Sequence, residues 1–175
     1  MNEADLNNVF KYDKIILSID SESCLTTNTG KTSYYIDLLE PLRNVVYIKI
    51  LSAVIEHNSA LTAERNMKKY DPFYICLNDY NRSKTYINSV NATTGNIKEY
   101  FDSVPYNIGG DFSTISYTQS SFDWTDPTVY ILNPPEPNLR RLNIEIKDKL
   151  FNLFNTNLLT DFNLTICVYF MKNRV

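Results

Sequence analysis

"LLEPLRNVVYIKILSAVI", Leu38 to Ile55, is the stretch whose reading decides the fold. From Val45 to Ile55 nearly every residue is apolar, with only Lys49 and Ser52 interrupting. A half-buried strand alternates apolar with polar residues, so this run calls for apolar neighbours on both faces. As a helix it would bring Lys49 and Ser52 to the same side as Val45 and Ile48, and it would crowd a β-branched series against the preceding turn. As a strand it places Val46, Ile48, Ile50 and Val54 on one side and Val45, Tyr47, Leu51, Ala53 and Ile55 on the other. Val, Ile and Tyr suit a pleated surface. The run therefore reads as a strand covered on both faces, its second side shielded by another part of the chain or by another subunit.

The flanking segments read the same way. "KIILSID" (Lys14 to Asp20) is a strand with Ile15, Leu17 and Ile19 on one face, followed by a Ser/Thr/Asn loop. "TSYYIDLL" is a second strand, ended by Pro41, with "EPLRN" as a connection. "NSALTAERNMKKY" has Ser59 as a cap ahead of helix formers and reads as a short helix. "DPFYICLND" is a strand, and "SKTYINSV" is expected to pair back on it. "NIKEYFDSV" fits two helical turns with Ile97, Tyr100, Phe101 and Val104 inward. One strand is expected near Phe112 to Tyr117. "PTVYIL" is a strand, "NPPEP" an extended connector because its prolines lack donors, and "RLNIEIKD" a strand. In "DFNLTICVYF" Phe162, Leu164, Ile166, Val168 and Phe170 alternate strictly with their neighbours. About eight strands with no strand–helix–strand rhythm point to an all-β antiparallel sandwich or barrel with one or two short helices.

At 175 residues, 43% apolar and 21% charged, the chain fits one globular domain. Residues 1–12 read as a tail or arm and 13–175 as the domain. The net charge of -3 disfavours nucleic acid, which needs a concentrated basic face, and the longest basic cluster is Arg140-Arg141. No segment approaches the ~20 apolar residues of a membrane span. The polar, acidic N-terminus is unlike a secretory signal, so a reducing interior is expected. The three cysteines, Cys24, Cys76 and Cys167, agree: odd in number and widely spaced, they read as free thiols.

Chemistry is sparse. His57, the only histidine, falls in the polar "IEHNS" and reads as a solvated turn residue. One histidine excludes the common multi-histidine metal sites of β-sandwiches. Gly109-Gly110 lacks the lysine and spacing of a phosphate loop. Asp123 and Asp126 flank Trp124 in "FDWTDP", where an aromatic beside acids resembles a sugar cleft, but turn formers around an anchor explain the same residues. The expectation is no enzyme and no cofactor. Thirteen Tyr and nine Phe, without interleaved Lys and Arg, point to core and interface.

Read as a unit, "KIILSIDSESCLTTNTGKTSYYIDLLEPLRNVVYIKILSAVIEHNS" resembles the opening of single jelly-roll minor capsid proteins of large DNA viruses and their virophages. The matching residues are Asp20-Ser21, Tyr35-Ile36-Asp37-Leu38, Leu42, Asn44-Val45, Ile48, Leu51, Ser52-Ala53 and Ile55. "LRRLNIEIKD" and "DFNLTICVYF" resemble the last two strands of that family. The family's Asp-Ser-Arg-Asp-Arg stands here as Asp20-Ser21-Glu22-Ser23-Cys24, and its Pro-Asn turn as Glu56-His57-Asn58. The resemblance implies a single jelly roll serving as a minor capsid or pentameric vertex (penton) protein of the virion, put together in the host cell interior. Its partners would be copies of itself, as a pentamer or trimer, and the major capsid protein. Val45, Tyr47, Leu51 and Ile55 become the candidate subunit interface. The alternative is a carbohydrate-binding β-sandwich in which Trp124, Tyr117 and Tyr130 stack on sugars.

Overall fold

The computed structural model describes residues 12–26, 32–57, 71–81, 83–87, 96–105, 114–118, 130–154 and 158–171. Within them the strands are β1 (Tyr12–Asp20), β2 (Leu25–Thr26), β3 (Ser33–His57), β4 (Pro72–Leu77), β5 (Ser83–Ile87), β6 (Asn96–Tyr100), β7 (Asp102–Pro105), β8 (Thr114–Thr118), β9 (Tyr130–Lys147) and β10 (Leu159–Met171). The only helical turn among the described residues is the 3-10 turn Ser21–Ser23, capped by the Asp20 carboxylate, which accepts from the Glu22 N–H at 2.9 Å. The fold is all-β. Every ladder is antiparallel, and the main sheet runs β1-β10-β3-β9-β4-β7 with β2 and β8 also on β3.

The 25-residue β3 organises this sheet. Tyr34 and Tyr35 pair with both β2 and β9, Val45, Tyr47 and Ile48 with both β10 and β9, and Val54 and Ile55 with both β10 and β8. One edge of β3 therefore carries β2 and then β10, and the other carries β9 and then β8. The sheet curls, so that the far strand β7 approaches β8.

Pro41 does not end a strand. The ladder passes from Asp37↔Arg141 to Leu42↔Leu139, so Leu38 to Pro41 form an excursion in which proline forfeits no ladder bond. Leu39 at its tip is fully exposed. The same reasoning corrects "NPPEP": it lies inside β9, whose register jumps from Ile131 to Glu136 around the cis peptide Asn133-Pro134. "NIKEYFDSV" is not helical. Phe101 is a bend between β6 and β7, and its N–H donates to the Ile75 carbonyl (2.9 Å) while β7 pairs with β4. Bending there buries Phe101 and Val104 without a helix. "SKTYINSV" pairs with β6, not with "DPFYICLND". This two-stranded sheet lies against β4, with Tyr74 Oη 2.9 Å from Thr85 Oγ1 and stacked obliquely on Tyr100. The expected helix at Ser59 lies outside the described residues.

The opening run is a strand covered on both faces, but its two faces divide differently from strict alternation. Against β10, Leu51 is an extra residue between Ser52↔Thr165 and Ile50↔Ile166, and Val46 is another between Tyr47↔Tyr169 and Val45↔Phe170. Each bulge switches the side toward which the following residues point. Val45, Ile48, Ile50, Ala53 and Ile55 consequently all enter the principal core, where Leu142, Ile144, Leu164, Ile166 and Val168 meet them. The reverse face holds a second cluster of Val46, Tyr47, Cys167 and Tyr169, with Tyr47 and Tyr169 directly opposite and stacked at 4.1 Å. Lys49, opposite Cys167 in the ladder, is buried as well.

Ile144 sits where β9 is flanked by β3 and β4, opposite Tyr34 and Leu77. Ile144→Ala is expected to cost about 2–5 kcal/mol, and Leu39→Ala less than about 0.5 kcal/mol. Urea unfolding of the two variants against the parent chain measures both.

Candidate functional site

β4 stops at Leu77 while β9 continues beyond it, and Asn78 closes the step between them. It lies at φ 46, in the left-handed region that asparagine tolerates. Its N–H donates to the Asn143 carbonyl (2.9 Å), its Oδ1 accepts from the Asn143 N–H (2.5 Å) and its Nδ2 donates to the Arg141 carbonyl (3.1 Å). One side chain thus satisfies backbone groups that a further strand residue would have met. Tyr80 N–H donates to Leu77 O (3.0 Å), and the Asn81 amide bonds both Leu77 N–H and Asn78 O (each 3.1 Å), which fixes the turn.

Between this turn and β9 lies an open groove of about 1020 Å³. Leu132 and Leu139 are its buried apolar base. Above them the lining is polar. Glu136 accepts from the Tyr80 hydroxyl (3.4 Å) and from the Asn138 N–H (3.3 Å), and Arg140 donates to the side-chain oxygen of Asn138 at 2.8 and 3.1 Å. Asp79 is exposed at the lip. Beside the groove, Arg141 holds Asp37 through two bonds of 2.7 and 2.9 Å and lies 4.3 Å from the Tyr35 ring. The guanidinium keeps the Asp37 carboxyl below its ordinary range. Both groups are exposed, so water and salt screen the pair.

Cys76 also lines the groove, but burial pushes its pKa up to about 11, with Lys147 opposing and Glu145 reinforcing the rise. At neutral pH it is a thiol and a poor nucleophile. Glu145 is engaged with Lys147 at 2.7 Å. The groove is therefore furnished for hydrogen-bonded recognition of a polar surface.

Three of the four candidate interface residues lie within the chain's own interior: Val45 and Ile55 in the principal core, Tyr47 in the second cluster. Leu51 alone is half-buried. Tyr117 pairs with Ala53 and Tyr130 with Ile48 through their backbones. Trp124, Asp123 and Asp126 lie outside the described residues. His57 is not in a solvated turn: β3 runs on to include it, it is buried, and its ring faces Phe73 at 6.4 Å. Among the described residues no three His, Cys, Asp or Glu side chains gather as a metal-binding group, and no helix is long and apolar enough to cross a membrane. Sequence reading missed the groove because part of its lining, Asn133, Pro134 and Glu136, falls in the "NPPEP" segment, which reads as a connector. The one local signal was Asn78-Asp79, a turn pair at a strand end.

Two outcomes follow from this geometry. Asn78→Ala removes two side-chain bonds and forces alanine to positive φ, costing about 2–4 kcal/mol, whereas Asn78→Gly relieves the backbone and costs less; thermal unfolding of the pair separates the contributions. In alkylation at neutral pH followed by mass spectrometry, half-buried Cys24 reacts first, although burial and Asp20 raise its pKa. The buried Cys76 and Cys167 react only on unfolding.

Compared with known protein families and with curated proteins, the chain matches none of them.

Proposed function

We propose that this chain is a structural component of a virion, a single jelly roll that assembles with its own copies and with a major capsid protein as a minor capsid or vertex subunit. The observation that carries the reading is the rim of the curled antiparallel sheet. Outside its two apolar clusters, large apolar side chains remain exposed along the rim: Ile16 on β1 and Leu25 on β2 by more than half, and Ile15 on β1 and Met171 at the end of β10 by about a third. Bare apolar rims on an otherwise well-filled fold are what subunit packing covers.

The residues behind the family resemblance also support a structural role. Asp20 caps the turn after β1, Asn44 turns the backbone at φ 54 beside the Val46 bulge, and Leu51 is itself a bulge. Asp37 ties β3 to β9 through Arg141. These are joints of a scaffold, and each has a stated mechanical reason. The groove favours a second reading, a binding module for a polar ligand such as a glycan, since amide, carboxylate and guanidinium groups line it together with Tyr80.

Light scattering of the purified chain is expected to give a mass several times 20.3 kDa, with five-fold or three-fold symmetry in negative stain. A monomer at every concentration, together with glycan-array binding lost in Trp124→Ala or Tyr80→Ala, would replace the capsid reading with the binding module.

A further inference from the structure

We infer that the excursion from Leu38 to Pro41 is the plug of a head-to-tail contact between copies of this chain, its Leu39 entering the groove between the Asn78 turn and β9 of the next copy. The inference rests on the reading of the chain as one that assembles with its own copies.

The excursion is a braced knob. It leaves the ladder after Asp37↔Arg141 and rejoins it at Leu42↔Leu139. Arg141 clamps Asp37 at its base, and Leu38 packs against the principal core. Leu39 stands fully exposed between Leu38 and Glu40. Glu40 and Arg43 are exposed beside it, and among the described residues neither side chain has an ion-pair partner. A leucine held on an anchored loop loses little further conformational entropy when it is covered.

The groove carries the complementary set. Leu132 and Leu139 form its buried apolar base, and its volume is about 1020 Å³. Arg140 and Asp79 are exposed in its lining. Arg140 is engaged with the Asn138 amide and not with a carboxylate, and among the described residues Asp79 meets no cation. Seating Leu39 over the two leucines therefore brings the anion and cation beside it, Glu40 and Arg43, to a cation and an anion, Arg140 and Asp79. A small polar ligand would answer the groove and leave Leu39 bare. A second copy answers both features at once, which selects it as the occupant.

The excursion stands on the β3 edge of β9 and the groove on its β4 edge. One copy can thus fill a neighbour's groove while its own is filled by a third. Contacts of this heterologous kind repeat in one direction and close into rings when the rotation permits. That is the symmetry class of a trimer or pentamer.

Sedimentation velocity over a range of concentrations tests this. Leu39→Asp and Arg140→Glu are each expected to weaken self-association about tenfold or more, with little change in thermal midpoint because both side chains are exposed. Glu40→Arg combined with Arg140→Glu is expected to recover it. Leu39→Asp keeps an intact groove and Arg140→Glu an intact plug. At a concentration where each alone is monomeric, their equimolar mixture is expected to give one-to-one dimers and nothing larger. A parent chain that stops at a dimer, or a mixture that builds larger species, would overturn the head-to-tail arrangement. An assembly untouched by Leu39→Asp and Arg140→Glu would overturn the plug and leave the assembly reading intact. A monomer at every concentration would overturn both, and glycan-array binding lost in Arg140→Glu would then place a sugar in the groove.

Discussion

The requirement that β3 be bonded along both edges and packed on both faces governs the rest of the molecule. From Val45 to Ile50 every residue is buried, so each of these must meet a partner of matching chemistry. The two bulges make this feasible. By inserting Val46 and Leu51 as extra residues opposite β10, the strand turns Val45, Ile48, Ile50, Ala53 and Ile55 to the same core although their numbering alternates irregularly. A bulge costs a local ladder bond, but burying five such side chains returns about 1–3 kcal/mol apiece for the larger ones, so the trade favours the bulged register.

Polar groups inside this framework are met by design of the backbone. Thr32 is fully buried, yet its hydroxyl donates to the Ile146 carbonyl (2.7 Å) and accepts from the Phe154 N–H (3.1 Å), while its own backbone bonds Phe154 O and receives Ile146 N–H. It splices the start of β3 to β9 and to the segment beyond the Asp148 turn. Asp148, also buried, accepts from the Leu150 and Asn152 N–H groups at 2.9 and 2.8 Å. Each of these side chains replaces water for peptide groups that would otherwise cost about 1–3 kcal/mol when buried.

The architecture was legible wherever periodicity carried it. β10 alternates so regularly that its core set, Phe162, Leu164, Ile166, Val168 and Phe170, could be named residue by residue; the first four are buried and Phe170 is partly buried against them. β1 was placed correctly, though only Ile19 of its expected inner face is buried and Ile15 remains exposed. Legibility failed where proline or an i, i+3 apolar spacing admitted two explanations. Pro41 and Pro134 to Pro137 read as breaks because a proline forfeits a donor, but within an excursion there is no donor to forfeit. Phe101 and Val104 read as a helical face, and a single bend brings them to the same side equally well. The groove was invisible because its polar side chains come from Asn78 to Tyr80 and from β9, distant in sequence and joined only by the ladder.

The pairing of Tyr12 with Met171 means that the first and last described strands are neighbours, and β10 is also what closes one edge of β3. During synthesis β3 emerges from the ribosome long before either of its principal partners. Until β10 has left the exit tunnel, the most apolar ribbon in the chain lacks the strand that shields it, and closing so wide a loop is slow. The shielding of β3 therefore waits on β10, the last of the described strands.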